Sequence, residues 1–226
     1  MAVGILSIAM MLIATMFPVA IYLTSVASER TMAAIVADEA FAKIQLYGVD
    51  PCDDPCACID YENELVSKGK IDPNEFSYPS VDPCTNSRQY YWSALYKFDP
   101  NSSGYLVTVF VARKTNPTLT YWSFDRPRVV DVNVQNVAVE SDRLKISEPN
   151  KAKYVNPRTT IFDTRTGQLY RVADKIGIGN IDANIVTLDR NWDANAPNPR
   201  PVWFIPPPDT GGRNAGIEVY QRIIKF

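Results

Sequence analysis

The chain has 226 residues and a net charge of −2, with 23 Lys and Arg against 25 Asp and Glu. The basic residues are scattered along the sequence, so no basic patch favours nucleic acid, and we exclude nucleic acid as a partner. Histidine is absent, which removes the usual general base, the Ser-His and Cys-His nucleophile pairs and the imidazole metal ligand. We therefore expect no enzymatic activity and no cofactor.

The N-terminal segment has no charged side chain from residue 1 to residue 28. The helical pattern continues from there to Gly48, and this glycine with the following Pro51 is typical of a helix C-terminus. A bilayer core of about 30 Å is crossed by roughly 20 helical residues, whereas a helix over residues 1–48 is about 70 Å long. We predict a continuous stalk helix that extends well beyond a membrane.

Small residues recur through the apolar half of this stalk, residues 1–28, and such residues let helices approach closely in lipid. Pro18 lacks an N–H and clashes with the carbonyl four residues back, so we expect the helix to kink or loosen there, which is tolerable inside a protein bundle. An ordinary single-pass anchor is the alternative. The predicted assembly surface of the helix consists of Ala2, Gly4, Ile8, Ala9, Leu12, Ala14, Phe17, Pro18 and Ile21.

The second half of the stalk, residues 29–48, is amphipathic. Met32, Ile35 or Val36, Phe41 and Ile44 continue the apolar pattern at helical spacing, while charged residues such as Asp38 occupy other faces. We predict that this apolar stripe packs against the head domain.

Three short stretches of the stalk resemble a known family. They are Val3-Gly4-Ile5-Leu6, Met16-Phe17-Pro18-Val19-Ala20-Ile21 and Glu29-Arg30-Thr31 with Ala33-Ala34. They are similar to the N-terminal helix of type IV pilins and of the pseudopilins of type II secretion systems, over the first 48 residues or so of the chain. The resemblance implies a homo-oligomeric helical filament on the cell surface, and a subunit that sits in the cytoplasmic membrane until the pilus or secretion machinery there assembles it.

One part of the family pattern is missing from this sequence. The short leader, its cleavage site and the Glu shortly after that site are not found in residues 1–28. In the family this Glu neutralises the free N-terminus of a neighbouring subunit during assembly. We expect the mature N-terminus to lie a few residues upstream, and a divergent subunit is the alternative.

Four cysteines follow the stalk, namely Cys52, Cys56, Cys58 and Cys84. Their close spacing lacks the separated pairs typical of an all-cysteine zinc site, so we expect no metal and predict two disulfides that staple the Pro-rich region 49–89 to the head. A bridge between Cys56 and Cys58 is strained because one residue separates them, which leaves Cys56 or Cys58 joined to Cys84. We prefer Cys58 with Cys84 and Cys52 with Cys56.

The remaining residues, 90–226, predict a β-rich head. The 17 prolines and the aromatic content of 11% favour short strands joined by rigid turns. Alternating, β-branched and aromatic runs predict strands over 90–98, 105–112, 129–139, 160–163, 168–172, 185–188, 202–205 and 217–226. The first two strands form one hairpin and the fourth and fifth another. We expect these strands to form one head or two small sheets.

Two further features of the head suggest sites. Asn101 begins the sequon Asn101-Ser102-Ser103 at a hairpin tip and is a candidate glycosylation site, although a plain turn explains the same residues. The loops that contain Asp182 and Asp189 offer oxygen ligands but lack the spacing of an EF-hand, so turn chemistry is preferred to a calcium site.

Together these patterns predict an α+β protein, in which a Pro-interrupted N-terminal helix precedes a mainly β head stapled by disulfides. The predicted function is that of a structural subunit of an extracellular type IV pilus-like filament, with the head displayed outside. A minor pseudopilin of a type II secretion system is the alternative within the family. A single-pass, membrane-tethered surface binding or adhesion protein is the alternative outside it.

Overall fold

The computed structural model describes residues 2–50, 58–80, 88–122, 124–137, 140–176, 184–192 and 199–226. Within these ranges the chain is one long N-terminal helix followed by a mainly β region, in agreement with the predicted α+β class. The side chains of residues 2–9, 12, 140 and 176 lie outside the described set.

The first element, helix α1, spans Ala2–Tyr47 and contains Pro18 without a break in its helical assignment. The helix therefore continues on both sides of the proline, and any loosening there does not divide it. At its end Gly48 has φ +76° and its backbone N–H donates to the carbonyl of Ile44 at 2.9 Å. A residue in this left-handed conformation is a common helix C-terminus, and glycine adopts it without steric cost.

The elements after α1 are short. In chain order they are β1 (Ile59–Asp60), α2 (Tyr61–Ser67), a 3₁₀ helix (Pro73–Phe76), β2 (Ser77–Tyr78), β3 (Tyr90–Asp99), β4 (Gly104–Arg113), β5 (Val130–Val137), β6 (Glu140–Ile146), α3 (Pro149–Ala152), β7 (Thr160–Asp163), β8 (Leu169–Ile176), β9 (Ile185–Leu188), β10 (Arg200–Phe204) and β11 (Gly216–Ile224). The strands form an open sheet and a closed barrel.

The open sheet has the order β1-β3-β4-β11, with β2 also paired to β3, and all of its pairings are antiparallel. Its centre is the β3–β4 hairpin, in register from Tyr90 opposite Arg113 to Asp99 opposite Gly104. The C-terminal strand β11 completes the sheet beside β4 and has a β-bulge between Gly216 and Glu218. The apolar C-terminal region is thus held by a strand, as expected, up to Ile224.

The second half of α1 packs on one face of this sheet. Its buried residues are Ala33, Val36, Ala37, Ala40, Phe41 and Ile44, each no more than 3% exposed. They meet the alternate side chains Val107, Val109 and Val111 of β4 in one apolar cluster. The small alanines bring the helix backbone close to the sheet, so the amphipathic half of the stalk is an integral part of the head's core.

The barrel consists of six strands in the closed order β10-β5-β6-β9-β8-β7. Its interior holds alternate residues of those strands, including Val132, Tyr170 and Phe204. One buried ion pair joins Arg200 to Asp163 at 3.1 Å. Among the described residues, closure pairs each of the six strands on both sides, so none of them is an edge strand.

The barrel lies against the other face of the open sheet. Phe110 of β4 and Phe162 of β7 contact each other edge to face, with ring centroids 6.1 Å apart, and Leu95 and Ile205 belong to the same buried cluster. Along β7 the preceding Ile161 points into the barrel while Phe162 points to the sheet. The head is therefore a three-layer arrangement of helix, sheet and barrel.

The region 49–89 contains more regular structure than its composition suggested. Helix α2 begins at Asp60, whose side chain accepts hydrogen bonds from the backbone N–H groups of Glu62 and Asn63 at 3.0 and 3.4 Å. Tyr61 and Leu65, one turn apart, are buried against the core beneath α1. This region packs through its own apolar contacts in addition to any covalent link.

The predicted disulfides fall largely outside the described residues. Cys52, Cys56 and Cys84 belong to ranges that the structure does not describe, so their pairing stays a prediction. Cys58 is half-buried just before β1 and packs against the cluster between sheet and barrel. The described residues thus place one of the four cysteines at a position from which a bridge would hold the sheet.

Candidate assembly surface

The apolar half of α1 projects from the head with its side chains exposed. Nine large apolar residues in this part are at least 57% exposed: Met10, Met11, Ile13, Met16, Phe17, Val19, Ile21, Tyr22 and Leu23. A contiguous apolar surface of this extent marks a site of contact with a membrane or with other protein. By length and composition the described helix from Ile13 to Tyr47 could cross a membrane, a test that signal sequences and core helices can also pass.

The predicted assembly residues lie on this projecting part of α1. The side chains of Ala14, Phe17, Pro18 and Ile21 are exposed. Those of Ala2, Gly4, Ile8, Ala9 and Leu12 lie outside the described side chains, although their backbone belongs to the helix. The structure therefore places the four described residues on a surface that the head leaves uncovered.

Two threonine hydroxyls, one on the projecting part of α1 and one just beyond it, bond within the helix itself. The Thr24 hydroxyl donates to the carbonyl of Ala20 at 2.8 Å, and the Thr31 hydroxyl donates to the carbonyl of Ala27 at 3.0 Å. Such bonds satisfy hydroxyls that would be costly to leave unpaired in an apolar environment. The helix can thus enter lipid or a bundle of helices without exposing these donors.

The junction between the projecting part and the head is marked by Glu29, the first charged residue of the sequence. Glu29 is 8% exposed and its two carboxylate oxygens accept from Arg113 at 2.8 Å and from Arg213 at 2.9 Å. These arginines lie at the end of β4 and just before β11. One carboxylate therefore ties the stalk to both strands at the base of the sheet.

Further ion pairs lie along the upper part of α1, and those of Lys43 with Glu75 and of Asp38 with Arg222 join it to the head. Lys43 contacts Glu39 at 2.7 Å and Glu75 at 2.9 Å, and the Arg222 guanidinium lies 4.5 Å above the Phe41 ring while pairing with Asp38 at 3.2 Å. With the buried apolar stripe, these contacts hold the head in one orientation on the stalk.

The chain leaves the helix through Asp50, which binds two lysines of the following region. Its carboxylate accepts from the ammonium groups of Lys68 at 2.8 Å and Lys70 at 2.6 Å. The hydrogen bonds from these lysines hold the pKa of Asp50 below its ordinary value. This contact anchors the end of the stalk to the segment that follows α2.

The other candidate sites lie away from this surface. Asn101 is exposed in the β3–β4 turn, where its backbone N–H donates to Asp99 at 3.1 Å, so the sequon is accessible and glycosylation stays a prediction. Asp189 accepts the backbone N–H of Arg171 at 3.0 Å, which is a structural turn contact. Asp182 lies outside the described residues, and in the part of the chain that is described no His, Cys, Asp or Glu residues group as metal ligands.

Sequence reasoning missed the long-range pairing at the junction. Glu29 and its partners are separated by 84 and 184 residues along the chain. The one local signal in the sequence is that Glu29 comes directly after 28 uncharged residues. A carboxylate that is buried at such a position needs a partner, but the sequence does not show which residue supplies it.

Comparisons with known proteins give no match: no family model, no curated protein and no solved structure is similar enough to this chain to indicate a family.

Proposed function

We propose that this protein is a structural subunit of an extracellular type IV pilus-like filament, which polymerises through the projecting half of α1 and displays the β head outside. Before assembly the same helix holds the subunit in the cytoplasmic membrane. Other copies of this chain and the assembly machinery of that membrane are its partners in this proposal.

The observation that supports the proposal best is the division of one continuous helix into two parts. The part from Ala33 to Ile44 is packed into the head, whereas the part from Met10 to Leu23 carries nine exposed large apolar side chains. Removing each such side chain from water contributes about 1.5–3 kcal/mol. Outside a membrane this surface is stable only when something covers it, and identical helices in a bundle can do so.

The rigid junction supports the same proposal. In a helical filament each head takes its position from its own stalk, so the stalk and head need a fixed relative orientation. The ion pairs of Glu29 and the apolar stripe of α1 supply this orientation. A flexible linker at this point would favour a tethered binding domain.

A second candidate is a single-pass surface protein that binds or adheres and never polymerises. It is favoured by the described helix from Ile13 to Tyr47, which is long and apolar enough to cross a membrane alone. A minor pseudopilin of a secretion machine is a variant of the first candidate, since it uses the same helix in a short polymer.

Shearing intact cells and examining the released material separates these candidates. We expect the full-length chain to be released as regular filaments that an antibody against the head labels along their whole length in electron micrographs. Label at the filament end alone, or in short stubs, supports the minor pseudopilin. Recovery of all the protein as a detergent-extracted monomer contradicts the filament proposal and supports the tether.

A further inference from the structure

An open groove of about 700 Å³ lies between α1 and the head, beside the junction. The helix lines it with Tyr22, Val26, Glu29 and Arg30, and the barrel lines it with Arg158 and Arg171. The segment 212–218, at the start of β11, forms the remaining wall. The barrel side of the head thus extends along α1 past Glu29, as far as Tyr22 in the uncharged segment.

The position of this groove along the helix sets its environment in a membrane. Tyr22 and Arg30 are eight residues apart, about 12 Å along a helix that rises 1.5 Å per residue. This interval contains the end of the uncharged segment, where a spanning helix passes from the hydrocarbon core to the headgroups. Tyrosine at such a position is typical of that interface. In an inserted subunit, the groove walls on the barrel therefore lie at headgroup level.

The groove is positively charged although the whole chain is negative. Arg30, Arg158, Arg171 and Arg213 line it, against the carboxylates of Glu29 and Glu218. Glu29 is shared with Arg113, which adjoins the groove, and Glu218 makes a 3.8 Å contact with Arg30. Among the residues that the structure describes, Arg158 and Arg171 have no carboxylate partner.

Hydrogen bonds hold the backbone of both arginines in place. The backbone N–H of Arg158 donates to the carbonyl of Val172 at 2.7 Å, and the backbone N–H of Arg171 donates to Asp189 at 3.0 Å. Both side chains are exposed. A guanidinium group binds phosphate oxygens through two parallel hydrogen bonds, so two such groups that line one groove suit a phosphate diester.

We propose that this groove binds the phosphate of an anionic phospholipid, with Arg158 and Arg171 as the principal contacts, while the subunit waits in the membrane. The inference rests on the membrane-inserted state of the proposed function. Bound in this way, the lipid fixes how the head sits on the membrane surface before the subunit is withdrawn into a filament.

Lipid retention by the full-length chain tests the proposal. The protein is reconstituted in vesicles with equal parts of phosphatidylcholine and phosphatidylglycerol, extracted in mild detergent, and its retained lipids are counted by native mass spectrometry. We expect phosphatidylglycerol to be retained roughly five-fold over phosphatidylcholine, because each arginine near the membrane surface attracts anionic lipid. The double variant Arg158→Asn with Arg171→Gln should lose this preference. Asn suits position 158, where φ is +73°.

A matched control removes the same charge from the opposite end of the head. Arg165, in the β7–β8 turn, and Lys225, after β11, are both exposed, and Lys225 lies beside Gly104. The double variant Arg165→Gln with Lys225→Gln should keep the preference for phosphatidylglycerol. Circular dichroism of each variant verifies that the head is folded.

The proposal is overturned by any of the following: no preference in the wild type, equal loss in both double variants, or a preference that survives in the groove variant. In a further measurement, inorganic phosphate is added to the protein in phosphatidylcholine vesicles. Retention of this phosphate at the level found for phosphatidylglycerol shows that the groove binds free phosphate, and overturns a lipid as its ligand. Unchanged lipid retention with loss of filaments in the groove variant assigns the arginines to a neighbouring subunit instead. Filaments of a wild type without lipid preference leave the filament proposal standing.

Discussion

Glu29 is the residue on which the connection between stalk and head depends. It is buried, and it accepts one hydrogen bond from each of two arginines, one at the end of β4 and one just before β11. Hydrogen bonds to charged groups contribute more than neutral ones, and a partly buried charge is costly to leave unpaired. Arg30, the next residue of the helix, pairs with Glu218 at 3.8 Å, but both of these side chains are exposed and the contact is long.

The substitution Glu29→Gln should lower the free energy of unfolding by about 2 kcal/mol, because an amide replaces a carboxylate that binds two guanidinium groups. The control Glu218→Gln should cost no more than about 0.5 kcal/mol, since its pair is exposed and screened. Urea unfolding of the full-length chain in detergent, followed by near-ultraviolet circular dichroism, measures both. Equal losses in the two variants would contradict the role assigned to Glu29.

The ion pairs of Asp50 make the stability of the fold depend on pH in the acid range. Its pKa in the folded state lies below the ordinary value of 3.8, because the ammonium groups of Lys68 and Lys70 bind the ionised form. The contribution of this contact to stability is therefore present above pH 3.8 and is lost as the pH falls through the folded-state pKa.

The substitution Asp50→Asn should therefore lower the melting temperature of the full-length chain at neutral pH. The difference from the wild type should shrink and vanish as the pH falls below the folded-state pKa of Asp50, where both carry a neutral side chain. The effect is small because the contact is open to solvent. Thermal unfolding across this pH range tests it, and a difference that grows in acid would show that the sign is wrong.

At the scale of elements, α1 combines two environments in one helix. The substitution Ala14→Asp places a charge on the exposed apolar part, where burial in lipid or in a bundle is costly. We expect filament assembly to be abolished while the head remains folded, since the head does not contact Ala14, whose side chain is exposed. Electron microscopy of sheared material and circular dichroism measure the two effects.

Ala173→Asp is the matched control for this experiment. Ala173 is exposed on strand β8 of the barrel, so the same chemical change there leaves the helix untouched. Filaments should form normally in this variant. Normal filaments from Ala14→Asp would contradict the proposal that copies pack through the projecting half of α1.

Strands with a strong pattern could be predicted from the sequence, and short elements could not. The β3–β4 hairpin is clear from its aromatic and β-branched runs, and the alternation of Val130, Val132 and Val134 gives β5. Strand β6 was missed although Leu144 and Ile146 alternate with charged residues, because two apolar positions are too few to distinguish a strand from a loop. Helix α2 was missed for the same reason, with Tyr61 and Leu65 as its buried residues.

The candidate surfaces differ in how far a sequence can predict them. The apolar half of α1 is local, so its exposed residues follow from 28 consecutive uncharged positions. The arginine-lined groove joins Arg30 of α1 and Arg171 of β8 to Arg158 and Arg213, which lie in the loops before β7 and β11. No local sequence pattern indicates that these residues lie together. For the same reason, the alternation of residues within single strands does not predict that six of them close into a barrel.

At the scale of the whole molecule, sheet and barrel share one apolar boundary. Phe162 is 1% exposed and contacts Phe110 across that boundary. Phe162→Ala should therefore destabilise the sheet as well as the barrel, with a loss of about 3–5 kcal/mol in the free energy of unfolding. Hydrogen exchange of the full-length chain should show faster exchange in β4 and β8 together.

Ile35→Ala is a suitable comparison for Phe162→Ala, because Ile35 is 44% exposed on the outer face of α1. Its effect on exchange in both strands should be small. Faster exchange that is confined to β7 and β8 in Phe162→Ala would show that the barrel opens without the sheet.

The closed barrel has a consequence for the proposed filament, in which copies of the head would lie side by side. Heads held side by side reach very high local concentrations, at which unpaired strand backbones recruit one another and fuse neighbouring molecules. Six strands in a ring offer no such template. In the proposed filament the barrel can therefore lie against neighbouring heads without exchanging strands, and the strand edges that remain in the head belong to the open sheet, which ends in β1 and β11.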